Sequence, residues 1–257
     1  MPASRYFFLV HSLAWVSLKA DAAKMYLSYA WWILEPLIWV AIFYLVFGVL
    51  LDRRSDDLIA FLLVGKFPFF WFSKSVTAAS NSLLAYRGVI ATNNIPRELF
   101  VFITLQECIY KQLVVFMVLG GFLVSLGYTP NPNWLWFLPL VALQYVMIVP
   151  VALMGALLVS WVRDFQMLIP LAMALLMFTS GVFWDINSLS AELQEWVKML
   201  NPLAVLLDNY RSVLLRDGAL DYRRLLIYGL SAFGLTVLML ATYTRLHSHI
   251  VRRVING

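Results

Sequence analysis

Residues 28–51 read SYAWWILEPLIWVAIFYLVFGVLL, and this stretch decides the fold class. It contains one charged side chain, Glu35, and as an α-helix it would extend roughly 36 Å at about 1.5 Å per residue. A bilayer core of about 30 Å requires roughly 20 helical residues whose backbone groups bond within the segment. The stretch therefore predicts a transmembrane helix.

Five further apolar stretches meet the same requirement, and with the first they predict six spans, at residues 28–51, 58–84, 99–126, 134–160, 167–184 and 225–244. The whole chain is 62% hydrophobic and 13% charged, whereas soluble domains are roughly 25% charged. We therefore interpret residues 1–257 as a single transmembrane domain in an all-α integral membrane protein.

Two regions outside the spans are amphipathic. Residues 1–27 predict a helix lying along the membrane interface, with an apolar side formed by Tyr6, Leu9, Val10, Leu13, Val16 and Leu18. Residues 185–222 are too polar to span, and they predict a re-entrant pair of short helices on the outer side. The second of these should begin at Asn201 as N-cap, with Pro202 at its first position.

Six spans put both termini on the same side of the membrane. That side would hold nine Lys and Arg residues and the other side seven, five of them in the long outer segment. Because short loops dominate the positive-inside rule, both termini are predicted to be cytoplasmic. The formal net charge of +5 thus reflects topology, and no nucleic-acid partner is expected.

Glu35 is the unusual residue of the first span. A carboxylate that deep in an apolar run is costly, so it marks either a functional site or a specific partner. The alternative is structural: Tyr29, Trp31 and Trp32 form an interfacial aromatic belt, and Glu35 pairs with a neighbouring lysine.

The second span carries a polar stripe. Lys66, Ser73, Thr77 and Ser80 share one helical face, and aromatic residues such as Phe70 crowd beside them. Aromatic rings can pack on the apolar faces of sugars while hydroxyl groups form hydrogen bonds, so the stripe is a candidate conduit for glycans. An aromatic belt without transport function would show the same pattern.

Residues 85–98 form a short, polar, basic segment on the side assigned to the cytoplasm. They are either a plain connector or a docking element for a soluble partner. Catalytic patterns are lacking in the sequence: there is no P-loop, no Gly-x-Ser-x-Gly elbow, and His247 and His249 point to different helix faces. With Cys108 as the single cysteine, no internal disulfide can form, and we expect no metal or cofactor site.

The order of these features resembles the membrane subunits of ABC exporters for bacterial surface polysaccharides, the Wzm-like, KpsM-like and TagG-like permeases. The resemblance rests on the N-terminal helix, on the residues 29–36 YAWWILEP, on Phe47 with Gly48, on residues 94–98 NIPRE, and on residues 201–203 NPL. It covers nearly the full length.

The resemblance implies a homodimeric channel in the bacterial inner membrane that exports a lipid-linked polysaccharide of O-antigen or capsule type. ATP would be hydrolysed by a separate nucleotide-binding subunit, docked on Arg87, Asn93, Asn94, Ile95, Pro96, Arg97 and Glu98. The substrate path would be lined by Tyr29, Trp31, Trp32, Glu35, Lys66, Phe70, Ser73 and Thr77.

Two other classes stay open on the residues alone. A membrane-bound transferase acting on lipid-linked sugars would need a base and a nucleophile near the membrane surface. An ion-coupled secondary transporter would use Glu35 as its proton carrier.

Overall fold

The computed structural model describes residues 3–23, 28–50, 56–93 and 95–256, and within these ranges it is helical with no strand. The helices are α1 Ala3–Ala23, α2 Ser28–Phe43, α3 Asp56–Ser80, α4 Ser82–Ala85, α5 Arg87–Thr92, α6 Glu98–Ser125, α7 Phe137–Trp161, α8 Phe165–Thr179, α9 Ala191–Leu200, α10 Pro202–Leu214, α11 Tyr222–Arg245 and α12 His247–Asn256. A π-helical segment Tyr44–Leu50 extends α2, and short 3₁₀ turns occupy Pro132–Trp136 and Ile186–Ser188.

Five helical stretches in the described residues are long and apolar enough to cross a bilayer: Ala30–Phe47, Asp57–Ser80, Glu98–Ser125, Pro132–Trp161 and Tyr222–Arg245. They correspond to five of the six predicted spans. The remaining span, predicted at 167–184, corresponds to α8, whose 15 residues fall short of the roughly 20 that a bilayer core requires. The helix ends early because Ser180 caps it and Gly181 follows with a φ of 73°.

The centre of the bundle is the packing of α3 against α7. The α3 residues from Leu62 to Phe69 are all buried. Gly155 of α7 faces Ser80 of α3 so closely that a Cβ at position 155 would overlap the serine hydroxyl. Small residues at such a crossing let two helix backbones approach, which is how helices associate when lipid supplies no hydrophobic driving force.

Helix α10 is packed into this core although its segment is too polar to span. The predicted start is confirmed: the Asn201 side chain accepts hydrogen bonds from the backbone N–H groups of Leu203 and Ala204, and Pro202 is the first helical residue. The buried Tyr210 hydroxyl donates to Gln144 of α7 over 2.8 Å. Gln144 in turn donates to the Pro68 carbonyl of α3 over 2.7 Å.

The N-terminal helix is confirmed as a helix, and the residues of its predicted apolar side are divided between contact with the protein and the exposed surface. Val10, Ala14 and Leu18 are buried, whereas Leu13 and Val16 are exposed. The reason is that α1 packs along α6: Tyr6 meets Phe102 edge to face, and the Tyr110 hydroxyl and His11 Nδ1 lie 2.6 Å apart. The location of α1 at the membrane interface stays a prediction.

Candidate functional site

The contact between α2 and α3 holds a buried lysine surrounded by aromatic rings. Lys66 is 3% exposed, and its Nζ lies 3.0 Å from the centre of the Trp39 ring, 4.4 Å from that of Phe70 and 4.9 Å from that of Phe43. The electron-rich ring faces stabilise the ammonium in place of water. We call these residues, together with Glu35 and Lys74, the aromatic seam.

Glu35 and Lys74 form an ion pair at the edge of the aromatic seam. The two side chains are 34% and 56% exposed, so the pair is accessible rather than enclosed. Glu35 does pair with a lysine, as the structural interpretation of the sequence anticipated, although this lysine is Lys74 and was not singled out there. The pairing neutralises the carboxylate within the apolar helix.

The other residues of the predicted substrate path lie around the seam. Trp31 is 48% exposed on α2, and Ser73 and Thr77 are half-buried on the side of α3 that also carries the exposed Lys74. Ser80 is buried against α7, so it does not belong to the accessible part of the predicted polar stripe. Trp32 is half-buried, and the Tyr29 side chain lies outside the described residues.

The segment between α3 and α6 is more ordered than a plain connector. Residues Arg87–Thr92 form α5, on which Arg87 is exposed. Asn93 turns to extended backbone, and Ile95 and Pro96 are half-buried, while Asn94 lies outside the described residues. The segment thus presents a short helix with an exposed cation at one end of the bundle.

Arg97 fixes the shape of this segment from inside. It is 3% exposed, and its guanidinium donates to the carbonyls of Asn93 over 3.0 Å and of Ile95 over 2.7 Å. Burial lowers the pKa of Arg97 below its usual value. Among the residues predicted to bind a partner, Arg97 therefore has its side chain directed into the protein, where it holds the backbone of the segment.

The C-terminal helix lies at the same end of the bundle. Helix α12 packs on α5, with Ile250 and Val254 buried and Arg252 and Arg253 exposed. Beside it, a cleft of about 270 Å³ is lined by residues of the 85–98 segment and of the C-terminal region, namely Pro96, Glu98, Tyr243, Thr244 and His247. The chain end and the 85–98 segment therefore share one face of the protein.

Sequence reasoning missed Arg211 of α10, which is 2% exposed in the core. Its guanidinium lies 3.5 Å from the centre of the Phe61 ring and donates to the carbonyls of Phe61, Gly181 and Val182 over 2.8–3.2 Å. One sequence feature could have indicated a buried arginine, because Arg211 stands among Leu, Val and Tyr residues at helical spacing. That pattern is equally typical of an arginine on the surface of an amphipathic helix.

The cation–aromatic contact in the seam predicts a measurable coupling energy. We expect the effects of Lys66→Met and Trp39→Ala on the free energy of unfolding to be non-additive by about 1–2 kcal/mol. Desolvated cation–π contacts are worth roughly that much. Denaturant unfolding of the two single variants and the double variant in one detergent measures the coupling. If the two effects were strictly additive, Lys66 would lie beside the Trp39 ring without a stabilising interaction between them.

Comparison with known proteins gives relatives across most of the chain. Residues 9–215 match the family described as ABC-2 type transporter. An O-antigen export system permease protein RfbA of Klebsiella pneumoniae is 25% identical over 230 residues, which cover 89% of this chain and 88% of the relative. The protein of that name from Myxococcus xanthus is 23% identical over 213 residues, 81% of each chain.

A third relative carries a different name. The polysialic acid transport protein KpsM of Escherichia coli is 26% identical over 203 residues, 76% of each chain. The matched region includes both the aromatic seam and the 85–98 segment. The resemblance to ABC exporter permeases is thereby confirmed, and the chain, a multi-pass membrane protein, belongs to the ABC-2 type transporter family.

Proposed function

We propose that two copies of this chain form the channel of an ATP-driven exporter for a lipid-linked polysaccharide of O-antigen or capsule type. The observation that carries the proposal is the likeness to O-antigen export permeases over 89% of the chain. A likeness over that share of the chain is not confined to one segment.

The aromatic seam and its surroundings supply a suitable lining for a glycan. Ring faces can pack against the C–H faces of sugars, while the hydroxyls of Ser73 and Thr77 and the charges of Glu35 and Lys74 take up hydrogen bonds. Because Lys74 and Trp31 are exposed in the single chain, they are available to line a path between two copies. Lys66 lies behind them and fixes the rings.

ATP hydrolysis by a separate nucleotide-binding subunit supplies the energy. This subunit docks on α5 and the 85–98 segment in the cytoplasm. Arg97 holds that segment in one shape, so a movement of the ATPase is passed to α3 and α6, the helices on either side. The ATP-dependent closure of two ATPases would then shift the channel between closed and open states. Both chain termini lie on this cytoplasmic side.

The position of α8 supports a sixth span. A Cβ at Gly155 would lie 3.4 Å from Ile169 near the start of α8, beside Ser80 of α3. After the end of α8, the Val182 carbonyl lies beside Gly65 of α3. These two α3 positions are roughly 22 Å apart at about 1.5 Å per residue. Helix α8 with the turn after it thus covers most of a bilayer core, and α9 and α10 follow as the re-entrant pair.

Reconstitution with the companion ATPase tests the proposal. Vesicles containing both subunits and a lipid-linked glycan should move the glycan only when ATP is supplied, and vesicles with this chain alone should not. Transport by the chain alone on ATP addition would refute the scheme. Glycan transport that depends on a proton gradient and not on ATP would support the secondary transporter, and product formation by the isolated chain would support the transferase.

A further inference from the structure

A deep apolar groove lies on the outside of the bundle, away from the aromatic seam. Its volume is about 620 Å³, and it lies between α7, α8, α11 and the junction of α9 with α10. Its walls are almost entirely apolar, formed by side chains such as Val151, Leu176, Leu200, Pro202 and Leu235. In a membrane protein, such a groove on lipid-facing helices is accessible to acyl chains.

A charged mouth continues the groove. A second cavity of about 780 Å³ is lined by Glu192, Glu195, Arg223 and Arg224, and it shares Trp196 and Tyr228 with the apolar groove. Tryptophan and tyrosine favour the headgroup level of a bilayer, where an apolar ring body meets a polar tip. The two shared residues therefore mark the boundary between chain region and headgroup region.

The charges at the mouth are not all compensated within the protein. Arg224 pairs with Glu195 over 2.5 Å and with Asp221 over 3.0 Å. Arg223 and Glu192 are exposed, and neither forms an ion pair among the residues that the structure describes. The mouth thus offers one free cation and one free carboxylate beside an apolar groove.

We propose that the groove binds one phospholipid with an ethanolamine headgroup. An acyl chain occupies the apolar groove, Arg223 binds the phosphate, and Glu192 binds the ammonium. This occupant matches both free charges of the mouth. A polyprenyl diphosphate would satisfy Arg223 but would set its second phosphate against Glu192, and it carries no cation to pair with that carboxylate.

Lipid retention measured by native mass spectrometry tests the assignment on the full permease complex. The probes are phosphatidylethanolamine and phosphatidylglycerol with identical acyl chains, and a polyprenyl diphosphate as competitor. We expect about one phosphatidylethanolamine per chain to survive delipidation. Arg223→Gln should weaken retention of both lipids by roughly tenfold, the size of one charge-assisted hydrogen bond, whereas Glu192→Gln should weaken phosphatidylethanolamine alone.

A substitution that fills the groove provides a second, independent test of the lipid assignment. Ser231 is an exposed groove residue of α11 whose hydroxyl donates to the Tyr228 carbonyl of its own helix, so Ser231→Phe should block both lipids without disturbing the core. Matched controls are Ala241→Phe, exposed on α11 outside the groove, and Arg252→Gln at the far end of the bundle. Both controls should retain lipid at the unmodified level.

Three outcomes would overturn the assignment. Unchanged retention in both Ser231→Phe and Glu192→Gln would show that lipid binds elsewhere. Preferential retention of polyprenyl diphosphate over phosphatidylethanolamine would assign the groove to the exported lipid. Dissociation of the complex into single chains by Ser231→Phe, with lipid retained, would show that a second copy of the chain covers the groove.

Discussion

Replacement of Arg211 by leucine is expected to lower the free energy of unfolding by at least about 2 kcal/mol, because each buried carbonyl that loses its donor costs roughly 1–3 kcal/mol. Two carbonyls, those of Gly181 and Val182, depend on this guanidinium, and the Phe61 carbonyl accepts from it in addition to its hydrogen bond within α3. Denaturant titration of the purified chain, followed by tryptophan fluorescence, measures the loss. Arg163→Leu, at an exposed position in the loop between α7 and α8, is the matched control and should change stability little.

A glycine substitution tests the same site from the opposite helix. A Cβ at Gly65 would overlap the Arg211 guanidinium, so Gly65→Ala should destabilise the protein although alanine is the better helix former by about 1 kcal/mol. Gly120→Ala and Gly121→Ala in α6, where a Cβ meets nothing within 4 Å, should be neutral or stabilising. Equal effects at positions 65 and 120 would mean that Arg211 is not held as described.

Replacement of Arg97 by alanine is expected to reduce ATP-driven export more than tenfold while the transmembrane bundle stays folded. The carbonyls of Asn93 and Ile95 would lose their shared donor, and the 85–98 segment would lose its fixed shape. A loss of about 1–3 kcal/mol per unsatisfied carbonyl is enough to populate other loop conformations. Co-purification of the ATPase and export in reconstituted vesicles are the two measurements.

The control for this variant is Arg163→Gln, which removes an exposed arginine from the loop between α7 and α8. It is expected to leave ATPase binding unchanged. Full ATPase binding and export in Arg97→Ala would show that the segment is only a connector. A variant that binds the ATPase normally but exports nothing would place the role of Arg97 in transmission of the movement.

Five of the six spans and the start of α10 could be predicted because their causes are local. Long apolar runs determine a helix without reference to other helices, and Asn201 followed by Pro202 forms a cap with its own backbone. The end of α8 was predicted five residues too late because the apolar residues Val182, Phe183 and Trp184 follow it, whereas the helix ends at Thr179, shortly before the left-handed backbone of Gly181.

The partners of buried charged residues could not be predicted, because they depend on distant parts of the chain. Arg211 bonds to a carbonyl 150 residues away in α3, and no local pattern encodes that contact. Lys66 was predicted on a polar stripe, yet the structure surrounds it with rings from α2 as well as α3. Ala14 of α1 was overlooked for the same reason: an alanine is buried only where another helix approaches closely.

The tight approach at Gly155 limits how this protein can move. Helices α3 and α7 have no clearance to slide at that crossing, and Arg211 attaches α10 to α3, so these three helices behave as one rigid frame. Helix α2 contacts the frame through α3, by aromatic rings and one accessible ion pair, and it packs also on α6, outside the frame. In the proposed two-copy channel, any widening between the copies is therefore expected to come from movement of α2 relative to this frame, about the contact of Lys66 with Trp39.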